Sequence, residues 1–373
     1  MSVWRRLSAG WVAVLASLVL SACGGDGQAL RIGFVASFAG GGQDLVIGAR
    51  NGVQQAIEAF NAAGGHRGRP VELVLADLAV DSPAAAIARF RQLGVEFVIG
   101  PLLSVEALGL LRTPGAEALV FVSPSVTTPA LSGHEDNFFR VVSTTRSYAA
   151  SMAERLYARG LRTAALVRET TNPEYSLAWQ DSFSERFTAL GARVVTHATL
   201  PPDDDAGYRV AASQAMAAAA EVAVVIGRPL DVARFAQRLR DLPGRQPVLA
   251  SAEWGGGESL PELGGRAVEG VLVQQFFDRE ANTPPYLEFA AAYAERYRQP
   301  PGFVAVLAHD AANAVLEAIR QRRAGQSARD AMRALQTLEG LQQTLHFDRY
   351  GDTLRSAHMV RIEAGRFVAE GDR

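Results

Sequence analysis

The sequence predicts an α/β protein built as two doubly wound lobes, each on a parallel sheet, and three observations carry that expectation. From Leu30 onward, short runs of Val, Ile, Leu and Phe alternate with longer Ala-rich, amphipathic segments, as βα units on a parallel sheet do. The short runs fall into two sets of five, divided near residue 145. Removing an N-terminal export signal leaves roughly 350 residues, a length that suits two cores better than one.

Taken in order, the first set of strands is expected at 30–36, 71–76, 95–99, 118–122 and 138–142, with helices at 44–62 and 83–93. A helix at 146–159 opens the second set, whose strands fall at 163–168, 192–197, 221–226, 247–251 and 270–276. Helices at 175–190, 206–219 and 230–241 lie between them. The C-terminal part breaks the rhythm with helical stretches at 285–298, 303–323 and 327–336, then short strands at 344–347 and 356–362. Those strands are too few for a third core. The helices are expected to pack back on one sheet and the last strands on the other, so the chain crosses between lobes more than once and forms a hinge.

The first two dozen residues read as an export signal. Arg5 and Arg6 precede an apolar run from Val12 to Leu20 that ends in Leu20-Ser21-Ala22-Cys23. A charged start, an apolar stretch too short to span a bilayer and small residues before the cut are what secretion requires. Cys23 is the sole cysteine and stands where a lipobox needs its thiol, a resemblance to bacterial lipoprotein signals that implies cleavage before Cys23 and its acylation. Residues 1–22 are then signal peptide and 23–29 a lipidated tether, with the rest folded outside the cytoplasm.

Composition excludes several chemistries. With 37 basic and 39 acidic residues the formal charge is −2, so no nucleic-acid partner is implied. No lysine occurs, which removes Schiff-base chemistry and the P-loop lysine, and lipidation leaves no free thiol. Six scattered histidines show no metal-ligand spacing, Gly-x-Ser-x-Gly is absent, and no cofactor motif occurs, so neither a metal centre nor chemical turnover is expected. Asp203 to Asp205 read as a solvated loop opening a helix.

In open α/β sheets, ligands bind beyond the carboxyl ends of the strands, where loops and helix starts offer unpaired amides. The third strand is followed there by Gly100-Pro101-Leu102-Leu103-Ser104 and the fourth by Ser123-Pro124-Ser125-Val126-Thr127-Thr128-Pro129. On their own, Ser104, Ser125 and Thr127 suit helix caps and turns as well as a ligand.

Val98-Ile99-Gly100-Pro101 with Ser104, then Val122 to Thr127 and Pro129-Ala130-Leu131, resemble the branched-chain amino-acid binding proteins of ABC importers. Arg31-Ile32-Gly33, Asn61-Ala62-Ala63-Gly64-Gly65, Gly68-Arg69-Pro70 and Ala76-Asp77 extend the likeness through nearly the whole mature chain. The resemblance implies the type I periplasmic-binding fold, whose two lobes are joined by three strands. Residues 30–143 and 277–343 would form lobe 1, and 144–276 and 344–373 lobe 2. It also implies a non-enzymatic receptor that closes on an amino-acid-like zwitterion and presents it to an inner-membrane ABC permease.

By position, Ser104 and the Thr127 amide would hold the ligand carboxylate, and the Thr127 hydroxyl and Ser125 carbonyl its ammonium. Across the cleft, Tyr175 matches a family tyrosine, and Glu253 the carboxylate that neutralises the ammonium. Phe303 falls near a side-chain position, and Gln43 and Asp44 are further candidate contacts beside the Gly40 to Gly42 loop. Arg228 stands where the family carries an aromatic residue. It could meet a second ligand carboxylate, stack on an aromatic ring, or pair with Asp231 or Glu253. The same fold also serves lipoproteins that act as sensors or interaction partners, such as activators of a cell-wall synthase.

Overall fold

The computed structural model describes residues 28–39, 43–202 and 204–370. The expected export signal, Cys23 and the Gly40 to Gly42 loop lie outside the described residues.

The first sheet is fully parallel and reads β2-β1-β3-β4-β5 across its width. Its strands are β1 (Leu30–Ala36), β2 (Val71–Asp77), β3 (Phe97–Ile99), β4 (Val120–Ser123) and β5 (Phe138–Arg140). Helices α1 (Gln43–Ala62), α2 (Pro83–Gln92) and α3 (Ser104–Leu111) connect its early strands. The strands are continuous apolar runs because helices cover both faces, so alternation would leave polar groups buried. Ser82 caps α2 by accepting from the Ala85 amide. Gly100 is required at the end of β3: its φ is 104°, and a Cβ there would stand 2.3 Å from the Val35 carbonyl oxygen.

After α4 (Thr145–Ala158) the same winding repeats with β6 (Thr163–Glu169), α5 (Pro173–Ala189), β7 (Arg193–Leu200), α6 (Asp205–Ala217) and β8 (Val222–Ile226). It continues through α7 (Pro229–Arg240), β9 (Val248–Ser251), α8 (Leu260–Gly264) and β10 (Leu272–Gln275). The chain then returns to the first sheet with α9 (Pro284–Tyr297), α10 (Phe303–Gln321) and α11 (Ala328–Ala334), where α10 packs along α1. A small hairpin, β11 (Thr337–Glu339) with β12 (Thr344–His346), leads back to the second sheet. There β13 (His358–Glu363) adds antiparallel to β10, and β14 (Arg366–Ala369) antiparallel to β13 at the edge.

The second sheet therefore reads β14-β13-β10-β9-β8-β6-β7, seven strands, of which β6 to β10 repeat the order of the first sheet. In both sheets the order reverses beside the first strand of the set, the switch point where carboxyl-end loops part and leave a crevice. Each sheet has its own core on one face, while one continuous apolar cluster joins the two lobes on the other.

Two buried arginines tie the crossing segments. Arg355 donates from Nε to the Val141 carbonyl at 3.0 Å and pairs with Asp310, and its amide donates to Ser143 Oγ at 2.7 Å. Arg140 donates to Asp352 at 2.7 Å. Among the described residues no helix is long and apolar enough to cross a membrane.

Candidate functional site

The loops at the carboxyl ends of β3, β4, β6, β9 and β10 meet between the lobes. From lobe 1 come Leu102, Leu103 and Ser104 ahead of α3, Ser125 after β4, Leu45 of α1 and Phe303 of α10. From lobe 2 come Asn172 and Tyr175 at the start of α5, Trp254 after β9, and Phe276 after β10. The space left between them is small, about 20 Å³, so a larger guest requires the lobes to part.

On the lobe 1 side the polar groups that line the cleft, Ser104 and Ser125, are neutral. Ser104 is the first residue of α3 and is buried, where the helix dipole favours negative charge; the Leu103 amide beside it already donates to Glu106 Oε2 at 3.3 Å. Ser125 Oγ donates to the Leu102 carbonyl at 2.8 Å, which joins the two loops. Thr127 is buried. Its hydroxyl accepts from Thr145 Oγ1 at 2.8 Å and its carbonyl from the Thr145 amide at 2.7 Å. Arg140 donates to the carbonyls of Val126 and Thr128, at 3.4 and 2.9 Å, and so clamps the chain on either side of Thr127.

On the lobe 2 side stands an acid. Glu253 opens a 3₁₀ turn after β9 and is 1% exposed. Tyr175 Oη donates to its Oε2 at 2.9 Å, and Trp179 Nε1 lies 3.2 Å from both oxygens. Both donors are neutral. Burial pushes the carboxyl up to about 7, against the lowering effect of those hydrogen bonds. Tyr175 is pushed well above its ordinary value by burial and by the Glu253 charge, so it stays a donor. Glu253 lies behind Tyr175 rather than among the cleft-lining residues, while the Tyr175 ring packs edge-on against Trp254 at 5.7 Å.

Across the cleft, the Val105 amide in the first turn of α3 donates to Asn172 Oδ1 at 3.1 Å. Asn172 is held in turn by Glu169, a buried carboxylate that accepts its amide at 3.0 and 3.1 Å and the hydroxyl of Thr171.

The structure thus gathers Ser104, Ser125, Tyr175 and Phe303 at the cleft, with Thr127 and Glu253 buried beside it. It does not bring Gln43 or Arg228 there. Gln43 is exposed at the start of α1. Arg228 turns onto Asp231, with Nε to Oδ2 and Nη2 to Oδ1 both at 2.9 Å, and Tyr208 completes that carboxylate at 2.6 Å. Of the roles open to Arg228 from sequence, the pairing with Asp231 is the one formed. The cause is local: Asp231 lies in the first turn of α7, within reach of the residue that precedes the helix.

Asn172, Glu169, Trp179 and Arg140 escaped sequence reasoning. Only Trp179 left a usable signal, being four residues beyond Tyr175 and hence on the same helix face.

The family model described as periplasmic binding protein matches residues 29–366. Among curated proteins, the chain is 23% identical over 353 residues to the Leu/Ile/Val-binding protein BraC3 of Rhizobium johnstonii, covering 91% of this chain and 93% of that one. It is also 23% identical over 257 residues to Leu/Ile/Val-binding protein homolog 3 of Brucella melitensis biotype 1, covering 68% and 69%. Among solved structures, the leucine-binding protein LivK of Thermotoga maritima superposes with a TM-score of 0.82 at 24% identity, over 92% of this chain and 98% of that one.

Proposed function

This chain belongs to the periplasmic binding protein family, and from that premise we propose that it is the exported solute-binding component of an ABC importer, holding an amino acid or similar small zwitterion between its lobes. The observation that carries this reading is Glu253, a buried carboxyl whose hydrogen bonds come from neutral donors, with no cation among them. A carboxylate withdrawn from water needs an opposite charge, and a ligand ammonium supplies it. The opposing end of a zwitterion is an anion, which suits the α3 start at Ser104 and the clamped loop at Thr127.

Arg228 is occupied by Asp231, which leaves Leu45, Leu102, Leu103, Trp254, Phe276 and Phe303 to surround the guest's side chain. An apolar or aromatic side chain fits that wall, and a second carboxylate does not. Because the guest contacts both lobes, it favours the closed state by whatever it gains there over the open one. Cys23 is the proposed lipid anchor, and an inner-membrane permease the proposed recipient of the closed form.

A calorimetric screen tests the reading. Amino acids with aliphatic or aromatic side chains should bind, acidic ones should not, and the same acids without their amino group should bind far more weakly. Equal binding of the deaminated acids would remove Glu253 from its role.

A further inference from the structure

The amino ends of the lobe 1 strands, at the pole opposite the cleft, carry arginines that the solute-binding reading leaves unused. Arg31 in β1, Arg67 and Arg69 ahead of β2, and Arg322 and Arg323 after α10 border one open depression, together with a single carboxylate, Glu96. Glu96 pairs with Arg322 at 2.5 and 3.0 Å, and Arg31 approaches Glu72 only to 3.9 Å. Arg67 and Arg323 are exposed. Five arginines against Glu96 and Glu72 leave this pole net positive in a chain whose formal charge is −2.

The backbone presents the charge outward. His66 and Arg69 exchange main-chain hydrogen bonds of 2.9 and 3.1 Å around Arg67 and Gly68, whose φ angles are 54° and 81°. A two-residue turn with both central residues left-handed favours Asn or Asp at the first of them, so an arginine is strained there and stands at the tip.

The fold's entry point lies at the same place. Arg69 Nε donates to the Gln28 carbonyl at 2.7 Å, and the Leu30 amide to the Pro70 carbonyl at 2.8 Å. Cys23 precedes Gln28 by five residues, which span at most about 18 Å when extended. A lipid on Cys23 would therefore hold this pole within a short tether's reach of the bilayer.

The geometry points to a docking surface: the arginine-bearing pole of lobe 1 rests on anionic phospholipid headgroups beside its own anchor, leaving the cleft on the far side to sample solvent. Guanidinium groups and lipid phosphates are complementary in charge and hydrogen bonding. The orientation rests on the anchored reading of Cys23, whereas the affinity for headgroups belongs to the patch alone.

The mature chain carrying Cys23→Ser, and so without lipid, is mixed with phosphatidylcholine vesicles with and without phosphatidylglycerol, at low and high salt. Binding is expected only to the anionic vesicles and only at low salt, since exposed charges are screened within about 8 Å at physiological ionic strength. Arg67→Asn, Arg69→Gln and Arg323→Gln combined should lower the partition at least tenfold, at roughly fivefold per charge. Arg67→Asn suits the turn, and unchanged amino-acid binding by the triple variant verifies its fold. Equal partition onto neutral vesicles, or by the variant, overturns the proposal. Mass spectrometry of the exported protein separates the two readings. Acylated Cys23 with a patch indifferent to anionic vesicles overturns the docking alone; unmodified Cys23 with a patch that binds overturns the anchored orientation.

Discussion

The two walls of the cleft solve opposite problems. Lobe 1 offers dipoles that are already satisfied: Ser125 on the Leu102 carbonyl, Thr127 on Thr145, and the flanking carbonyls on Arg140. Neutral groups with local partners cost the fold little while they wait. Lobe 2 offers Glu253, whose carboxyl is buried, takes side-chain hydrogen bonds from the neutral Tyr175 and Trp179, and is pushed up to about 7. Relative to its ordinary 4.5, that shift favours the folded state below pH 4.5, and the advantage is lost as pH rises through about 7. The ionised acid thus leaves the fold about 3 kcal/mol less stable above pH 7 than the protonated one. One wall is prepared in advance, and the other holds behind its lining a buried acid that either a proton or a cation would neutralise.

Glu253→Gln breaks that contrast most sharply. It keeps the shape and one acceptor but removes the charge, so the dissociation constant for an amino acid should rise at least about a hundredfold. The same variant should be more stable than the wild type above pH 7, by up to about 3 kcal/mol in urea titrations. A loss of affinity smaller than about tenfold would place the ammonium elsewhere.

Lowering the pH acts on the same group by degrees. Glu253 must release its proton to meet an ammonium, so affinity should fall by about tenfold per pH unit from pH 7 towards pH 5, with up to about one proton released on binding. Calorimetry in buffers of different ionisation enthalpy reads that proton directly. A flat profile would mean that the acid is already ionised in the unliganded protein.

Smaller effects sharpen the comparison from the other wall. Asn172→Ala removes the hydrogen bond that crosses from lobe 2 to the α3 amide, and should weaken binding about fivefold, mainly through faster release. Stopped-flow dissociation would measure it, and an unchanged rate would show that this bond does not help hold the lobes together. Arg228→Met should leave affinity within about twofold, since its guanidinium is taken by Asp231 and does not line the cleft. Stability should nevertheless fall by about 3 kcal/mol, because Asp231 stays buried without its guanidinium. Collapse of ligand binding in a folded Arg228→Met protein would return that arginine to the guest.

The fold was legible wherever burial is two-sided. Strands such as 30–36 and 222–226 are apolar runs covered on both faces, and their ends drift by only a few residues because pairing partners set them. The missed elements lack that signature. Helix α3 is expected only as a helix start at Ser104, its eight residues being too few for a period to register, and β14 is a four-residue edge whose existence depends on β13. In the site, Ser104, Thr127, Tyr175 and Glu253 sit in recognisable segments. Their supports do not: Trp179 reaches Glu253 across 74 residues, Asn172 reaches Val105 across 67, and Arg140 reaches Asp352 across 212. Such partners are chosen by the folded geometry, and apart from the helical spacing of Trp179 from Tyr175 no local pattern announces them.

The central claim is that the acid of lobe 2 reads the guest's ammonium. Titrating the wild type and Glu253→Gln with leucine and with its desamino analogue tests it most directly. The wild type should prefer leucine by at least about a hundredfold, and the variant should lose most of that preference. Equal discrimination by both proteins would contradict the account.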